Sequence, residues 1–413
     1  MSSRVGRHAS FLGLVAGPLF LLAAGTPAKA AQTPAQPSNV CNALRPFSRG
    51  NDDAASVLQH CLDSAKPGET VALPAGTYLM RIPIFIRASL SLTTAGVPSD
   101  APACRRVDTR CATLMPMMSE SAIAQAPMPI NVQADGVTVD HLIFAGTRVT
   151  APRDAQALCL SQHGRSLAGG IRWSGQASRI TRSVFRDFAC YSALEVGTGS
   201  GLIADNLFSD NGTHTVNMMW SDGLTVHEGK SLNIRDNIFV DNTDVQLIFG
   251  GCTSCKVVGN RFRHSARASG GSFAELMIHA WPGGATSGRY DLSMFANNDI
   301  DCGTGHQCGF GIMVGALPWY QAPTSGGTVQ GNRVRNAMLG LNVDGLSGPV
   351  AIGANQIETV AGRYVTTCGS RQIDRGVNIA PSSRRFVTNA QTMQTASAQS
   401  FVNCLLNYPA FPK

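Results

Sequence analysis

The chain has 413 residues and a formal net charge of +7. Its 33 basic and 26 acidic residues form no lysine- or arginine-rich block, which argues against nucleic acid as the main partner but allows a polyanionic one. The 12 cysteines favour disulfides in an exported protein over metal or redox sites. The length would suit two average domains, but repeat and all-β folds of this size are routinely single, so we expect one.

The N-terminus is typical of a secretory signal peptide. Arg4 and Arg7 precede the apolar run FLGLVAGPLFLLAAG, and a small-residue cleavage site, AKA, ends at Ala30. We therefore expect cleavage after Ala30, a secreted or periplasmic mature protein with no membrane anchor, and a net charge of +4 once three basic residues are removed. An uncleaved anchor is the alternative, disfavoured because the apolar run is short for a membrane span. Residues 31–39, AQTPAQPSN, are interpreted as a flexible leader.

Residues 51–80, NDDAASVLQHCLDSAKPGETVALPAGTYLM, predict a short amphipathic helix, a Pro-Gly turn and a strand that leads into PAGTY. We expect the helix to close one end of a hydrophobic core rather than to form a site. Its apolar face is predicted to contain Ala55, Val57, Leu58, Cys61 and Leu62.

The middle of the chain contains a repeat in which Asn is followed two residues later by a large apolar residue. The pairs are Asn206 with Phe208, Asn237 with Phe239, Asn260 with Phe262, Asn298 with Ile300, Asn332 with Val334 and Asn355 with Ile357, and Ser183 with Phe185 precedes them. The shortest repeat is 23 residues, and three longer repeats contain insertions. We expect Asn here because it tolerates a left-handed corner and because its amide pairs with the Asn of the next coil.

A short alternating strand precedes each pair: GIRWSG, ALEVGT, GLTVHE, QLIFGG, ELMIHA, GIMVGA and GLNVDG. Their second and fourth residues are apolar and are predicted to face inward, while the odd positions face out. Short strands at this period, without helical periodicity between them, predict an all-β, single-stranded parallel β-helix. A leucine-rich repeat would need several leucines at fixed offsets in each turn, which these repeats lack.

Together, the cap sequence and the repeats resemble the pectate-lyase-like superfamily, which includes polygalacturonases, pectate and alginate lyases and mannuronan epimerases. The resemblance covers most of residues 45–360 and implies a right-handed parallel β-helix with an N-terminal capping helix that acts on polysaccharide. It places the β-helix domain at 40–361 and leaves 362–413 as a C-terminal cap or tail. The sequence motifs that define the individual families are incomplete or absent. Asn242-Thr243-Asp244 matches the first polygalacturonase motif, but the later motifs of that family are missing downstream.

Stacking the coils about 4.8 Å apart brings equivalent outward residues together. His227 and His279 fall in one column two coils apart, Glu195 lies on the coil next to His227, and Gln246 is a direct neighbour of Glu275. The candidate residues of a groove on this sheet are His227, His279, Glu275, Asp244 and Asp222 as catalytic groups and Arg172, Glu195, Gln246, Lys230, Trp281, Trp319, Tyr320 and Trp220 as substrate-binding groups.

Three functions fit such a groove. In a lyase or C5-epimerase, His227 or His279 is the base, Arg172 or Lys230 neutralises the substrate carboxylate, and Tyr191 or Tyr320 is the acid. A glycoside hydrolase needs a carboxylate pair, for which the candidates are Asp222 with Asp244 and Glu275 with Glu228 or Asp244. A glycan-binding module without catalysis is the third. The lyase or epimerase is favoured, because histidines outnumber well-placed carboxylate pairs.

The sequence requires no cofactor. A Ca²⁺ site made of Asp222, Asp244 and Glu195 is conceivable, although outward carboxylates on a repeat fold also serve solubility. The oligomeric state, the glycan and the disulfide connectivity stay open. Cys252-x-x-Cys255 favours a local disulfide over zinc or redox chemistry, because no second CxxC accompanies it. Nearest-neighbour pairing gives Cys41 with Cys61, Cys104 with Cys111, Cys159 with Cys190, Cys252 with Cys255, Cys302 with Cys308 and Cys368 with Cys404.

Overall fold

The structure is a computed structural model that describes residues 44, 53–124, 126–265, 271–281, 283–315, 323–359, 361–373, 376–388, 396–402, 404 and 406. The predicted signal peptide and leader, Cys41, Trp319 and Tyr320 lie outside the described residues. Within the described ranges, no helix has both the length and the apolar character needed to span a bilayer.

Helices are few and short in the described part of the chain. They are α1 (Ala55–Ser64), α2 (Glu120–Ile123) and α3 (Pro152–Cys159), with 3₁₀ turns at Arg165–Ala168 and Arg384–Phe386. Helix α1 buries Ala55, Leu58, Cys61 and Leu62 against the first coil, as the sequence predicts. Val57 was included wrongly in the buried face: its position on the helix turns it outward, and it is 37% exposed.

The strands follow one another in short segments. In chain order they are β1 (Thr70–Leu73), β2 (Gly76–Met80), β3 (Ile84–Ile86), β4 (Ser91–Thr94), β5 (Ala112–Pro116), β6 (Ile130–Val132), β7 (Thr138–Asp140), β8 (Leu142–Ala145), β9 (Ile171–Trp173), β10 (Ser178–Thr181), β11 (Val184–Arg186), β12 (Tyr191–Ala204), β13 (Leu207–Ser209), β14 (Ser221–Arg235), β15 (Ile238–Val240), β16 (Val245–Phe249), β17 (Cys252–Thr253), β18 (Lys256–Val258), β19 (Arg261–Arg263), β20 (Ser272–Ile278), β21 (Met294–Ala296), β22 (Asp299–Asp301), β23 (Cys308–Gly315), β24 (Thr328–Gln330), β25 (Arg333–Arg335), β26 (Leu339–Asp344), β27 (Ala351–Ile352), β28 (Gln356–Glu358), β29 (Gly362–Thr366), β30 (Gly369–Ile373) and β31 (Val377–Ile379).

The strands form three parallel sheets that wind into a right-handed parallel β-helix, as predicted. Sheet 1 contains β3, β6, β9, β16, β20, β23, β26, β31 and the first parts of β12 and β14. Sheet 2 contains β1, β4, β7, β10, β18, β21, β24, β27 and the second parts of β12 and β14. Sheet 3 contains β2, β5, β8, β11, β13, β15, β19, β22, β25 and β28. Strands β12 and β14 run through the corner between sheets 1 and 2, so they join these two sheets.

Stacked side chains fill the core and one corner. The rings of Phe144, Phe185, Phe208, Phe239 and Phe262 form a continuous stack with centroid separations of 4.8 to 5.1 Å. Beside them each Asn amide of the repeat donates to the next, from Asn206 through Asn237, Asn260, Asn298 and Asn332 to Asn355. The predicted Asn ladder is therefore present, and it satisfies amides that would otherwise be buried without partners.

The ladder Asn residues do not themselves adopt the left-handed conformation that was expected of them. The left-handed residue is the one before the Asn at five of the six ladder positions: Asp205, Asp236, Gly259, Asn297 and Gly331 all have φ between 55° and 69°. These positions carry Asp, Gly or Asn, which adopt that conformation at least cost. The ladder Asn is selected for its amide hydrogen bonds and not for its backbone.

The C-terminal region crosses sheet 1. Strand β31 pairs with β26, so sheet 1 extends beyond the boundary predicted at residue 361. Strands β29 and β30 form an antiparallel hairpin. We call residues 396–402, 404 and 406 the C-terminal strap; its Phe401, Cys404 and Leu406 pack on the outer side of sheet 1.

Five of the six proposed disulfides are formed. The sixth involves Cys41, which lies outside the described residues.

Candidate functional site

The predicted register of sheet 1 holds residue by residue. Backbone pairing aligns one outward column as Arg172, Glu195, Thr225, Ile248, Met277, Met313 and Asn342. A one-residue slip would turn every one of these side chains inward, so the alternation of apolar and polar residues and the Asn ladder together fix the pairing. Polar groups occupy the first three positions of this column, the next three are apolar, and the polar Asn342 ends it.

Glu195 is the centre of a polar cluster on adjacent coils. His227 Nε2 lies 2.6 Å from its Oε1, Arg172 Nη1 lies 3.7 Å from its Oε2, and the Tyr191 hydroxyl donates to Oε1 at 3.1 Å. Burial alone would raise the pKa of Glu195, but His227, Arg172 and Tyr191 outweigh it, so the pKa is lowered. Glu195 is therefore an ionised, buried carboxylate between an imidazole and a guanidinium.

Burial and the adjacent Glu195 charge raise the pKa of Tyr191, which keeps its phenol protonated. A protonated phenol beside a carboxylate and an imidazole can serve as a proton donor.

The cluster opens onto a cavity of about 340 Å³. The cavity is lined by Arg172, Ser174, Gly197, Thr198, His227, Glu228, Trp281, Gly283 and Gly284. The Trp281 ring lies 4.4 Å from that of His227, so it forms one wall. Glu228 points to the rim, where its carboxylate lies against Gly284. The volume is near the lower end of the ~300–1,000 Å³ typical of ligand pockets.

Asp222 and Asp244 form a second acidic group beside this cluster. Thr225 Oγ1 donates to Asp222 Oδ2 at 2.8 Å, and the backbone amide of Val245 donates to Oδ1 at 3.0 Å. Burial and the neighbouring charge of Asp244 raise the pKa of Asp222, and burial raises the pKa of Asp244 to about 6. Near neutral pH the pair therefore tends to retain a proton.

Arg165 is the cation beside this pair, and no sequence pattern predicts it there. It lies in the 3₁₀ turn that follows α3, and the charges of Asp244 and Asp222 oppose the lowering of its pKa by burial. Its guanidinium lies 4.3 Å from the ring centroid of Trp220, which is thereby held in place. Arg165 lies outside the repeated strands, so the repeat assigns it to no column. The sequence pattern therefore does not predict that Arg165 lies at the site.

His279 does not line the cavity, contrary to the prediction. Its side chain is completely buried, its Nδ1 contacts the Phe249 carbonyl oxygen, and its ring meets Trp281 edge to face at 4.4 Å. Burial and the nearby His227 lower the pKa of His279 to about 3. The position points outward from the sheet, as the register requires, but Trp281 packs against it.

Glu275 and Gln246 are neighbours as predicted, with Gln246 Nε2 donating to Glu275 Oε2 at 3.2 Å, but both are fully buried and not in a groove. Glu275 Oε1 lies 2.7 Å from Nε2 of His264, whose Nδ1 lies 3.3 Å from Asp241. Burial would lower the pKa of His264, but these carboxylates raise it to about 10. His264 is the centre of this buried charge network, and its position outside the repeated strands offers no sequence signal for that role.

Lys230 is exposed and pairs in register with Thr253, at the corner beyond the cavity lining. A Ca²⁺ site of Asp222, Asp244 and Glu195 fits poorly, because Glu195 is already compensated by His227 and Arg172. Among the described residues one cluster has metal-ligand spacing, Glu275 with Cys302 and Cys308, but the two cysteines form a disulfide and offer no thiolate.

The right-handed parallel β-helix fold is shared with solved structures of low sequence identity. The chain is similar to the polygalacturonase from Erwinia carotovora ssp. carotovora, with a TM-score of 0.53 and 12% identity over 85% of this chain and 99% of that one. It is similar to the A-module of the mannuronan C-5 epimerase AlgE6 of Azotobacter vinelandii, with a TM-score of 0.51 and 13% identity over 82% and 77% of the two chains. It is also similar to ORF18 of Geobacillus virus E2, with a TM-score of 0.53 and 14% identity over 77% of this chain.

The chain spans only 57% of the length of that viral protein. No protein-family model matches the chain, and no curated protein matches its sequence. At these identities the similarity establishes the fold and leaves the activity to the site.

Proposed function

We propose that this protein is an exported enzyme that modifies or cleaves a uronate-containing polysaccharide in the sheet 1 groove, by β-elimination or C5-epimerisation with His227 as the base. The observation that carries the proposal is the His227, Glu195 and Arg172 cluster at the floor of the cavity. Two of the similar structures are named as enzymes of uronate polysaccharides, a polygalacturonase and a mannuronan epimerase, which supports this substrate class. The disulfides support export.

Glu195 has the role of holding the base. With its lowered pKa it stays ionised, and a carboxylate 2.6 Å from Nε2 favours the tautomer of His227 that carries its proton on that nitrogen. The other ring nitrogen, Nδ1, is then the basic one. A buried carboxylate also stabilises the imidazolium that forms once the proton has been taken.

Arg172 has the role of binding the substrate carboxylate. Its side chain is 39% exposed and lines the cavity, so it can reach both Glu195 and a ligand. When His227 removes the C5 proton, the electron pair moves onto the carboxylate, where the guanidinium compensates the added charge. In elimination the pair returns as a C4–C5 double bond and the C4 oxygen leaves with a proton from Tyr191; in epimerisation a proton returns to C5 from the opposite face.

The test is incubation of the mature protein with a panel of uronans. Elimination forms unsaturated uronate ends, which raise the ultraviolet absorbance of the solution. Epimerisation changes the ratio of the two uronate epimers in the proton NMR spectrum. His227→Ala should lower the rate by about 10²- to 10⁴-fold, the range for loss of a general base. His163→Ala is the matched control, since that histidine side chain is 59% exposed near α3. Unchanged activity of His227→Ala would refute the assignment of the base.

The second candidate is a glycoside hydrolase that uses Asp222 and Asp244. The supporting observation is that both pKa values are raised, as a general acid requires, with Asp244 at about 6. A hydrolase would form new reducing ends without unsaturated products. If Asp244→Asn abolished this activity and His227→Ala retained it, the hydrolase would replace the lyase as the function. If no glycan is changed and His227→Ala leaves glycan binding as it was, the protein is a binding module.

A further inference from the structure

The outward face of sheet 1 changes abruptly at the coil after His227. On β16 and the residue after it, the outward positions Gln246, Ile248 and Gly250 are all buried. In the opposite direction, toward the N-terminal coils, Ser174 lines the cavity and is exposed, and Gln133 beyond it is exposed too. The groove is therefore open toward the N-terminal coils and closed toward the C-terminal coils.

Trp281 forms the closed end. Its indole packs over Gly250, where a Cβ would meet the ring at 2.2 Å, so Gly250 leaves the space that the ring occupies. The ring is also fixed between His227 and His279, each at 4.4 Å. A sugar chain that lies along the stacked strands past His227 meets this ring at the very next coil.

The C-terminal strap covers the later coils of sheet 1, beyond Trp281. Phe401, Cys404 and Leu406 belong to one apolar cluster with Ile248 and Met277, and all five side chains are less than 5% exposed. The Phe401 ring meets that of Phe310 edge to face. Because these apolar side chains are buried, release of the strap would expose them to water, so the strap stays packed on the sheet.

Polar and covalent contacts hold the strap in place. Asp344 Oδ2 accepts from the backbone amides of Phe401 and Val402 at 2.7 and 3.2 Å and from the Ser400 hydroxyl at 2.9 Å. The Cys404–Cys368 disulfide ties it to the β29–β30 hairpin. An extended polysaccharide cannot displace such a strap to lie across the later coils.

We propose that the groove receives the end of a polysaccharide chain and not its interior, so that the protein acts in the exo mode with Trp281 as the residue that sets where the chain stops. This inference rests on the proposed function for the reaction, but the geometry of binding stands without it. The chain end abuts Trp281, the terminal units lie in the cavity over Arg172 and His227, and the rest of the chain leaves over Ser174 and Gln133.

Binding stoichiometry tests the closed groove independently of catalysis. The non-cleaving His227→Ala variant is titrated by calorimetry with size-fractionated polyuronates of increasing length. We expect one protein bound per chain at every length, because each chain has one end of the correct polarity. A number of bound proteins that rises in proportion to chain length would overturn the proposal.

Product sizes give the second measurement. The wild-type protein should release one short product from the first minutes, with little loss of solution viscosity. Trp281→Ala should lengthen the shortest product by at least one unit, with Leu292→Ala, a change at a side chain 89% exposed, as the control. If Trp281→Ala does not fold, Gly250→Ala displaces the same ring from the side of the sheet.

The outcomes separate the two proposals. Random product lengths with a rapid fall in viscosity would refute the closed groove and leave the chemistry standing. One protein bound per chain without any reaction would refute the chemistry and leave the closed groove standing. Absence of both binding and reaction on every uronan would refute both.

Discussion

Glu195→Gln should reduce turnover by about 10- to 150-fold while the fold is retained. Glutamine keeps the shape of the side chain and an acceptor for the Tyr191 hydroxyl, but it removes the charge 2.6 Å from His227. Glu195 is only 1% exposed, so water cannot replace the lost interaction. A hydrogen bond to a charged group contributes about 1.5–3 kcal/mol, and 1.36 kcal/mol corresponds to tenfold in rate.

The measurement is steady-state kinetics on the uronan that the wild-type protein uses, with the melting temperature as the check on folding. We expect kcat to fall and KM to change little, because Glu195 acts through His227 and does not line the cavity. The control is Glu358→Gln, an exposed carboxylate on sheet 3. A wild-type kcat in Glu195→Gln, combined with an inactive His227→Ala, would refute the assignment of Glu195 as the residue that holds the base.

Three further predictions concern binding and stability. Arg172→Met should lower kcat/KM on a uronan by about 10- to 150-fold, from the loss of one charge-assisted contact, and have little effect on the methyl-esterified polymer. Asn260→Ala should lower the free energy of unfolding by about 4 kcal/mol in urea denaturation, since four side-chain hydrogen bonds of 3.0 to 3.1 Å are lost at about 1 kcal/mol each. The melting temperature of the wild-type protein should fall as the pH rises from about 4 to about 6, and this fall should be smaller in Asp244→Asn.

The sign of the last prediction follows from the direction of the pKa shift. The folded-state pKa of Asp244 is raised, so its contribution to stability is fully present below the unfolded pKa and is lost as the pH rises through about 6. Asparagine does not titrate and removes that loss. An identical pH dependence of the melting temperature in the variant and the wild type would contradict the raised pKa. A fall of less than about 1 kcal/mol in the free energy of unfolding of Asn260→Ala would show that water replaces the amide of the ladder. Equal losses of kcat/KM on the charged and the esterified polymer would show that Arg172 does not bind the substrate carboxylate.

The register of the coils could be predicted because it depends on local information. Alternation at a period of two fixes which side chains face in, and the repeated Asn fixes the spacing of the coils, so the neighbours of Glu195 and Glu275 follow from counting along the chain. In a solenoid each coil contacts only its neighbours, and a one-dimensional pattern is therefore sufficient. The left-handed position was misassigned to the Asn because sequence alone does not show which of two adjacent polar residues turns the corner.

Exposure could not be predicted in the same way, because it depends on segments far along the chain. His279 and Glu275 face outward in register, yet Trp281 packs against the first and a charge network around His264 encloses the second. Ile248 and Met277 are buried in an apolar cluster that includes residues of the C-terminal strap, and no periodic pattern in the sequence predicts those contacts. The sequence by itself determined the β-helix, its columns and the placement of Glu195 on the coil next to His227. Only the tertiary structure decided which part of that column is open, because burial is set by long-range packing and not by alternation along a strand.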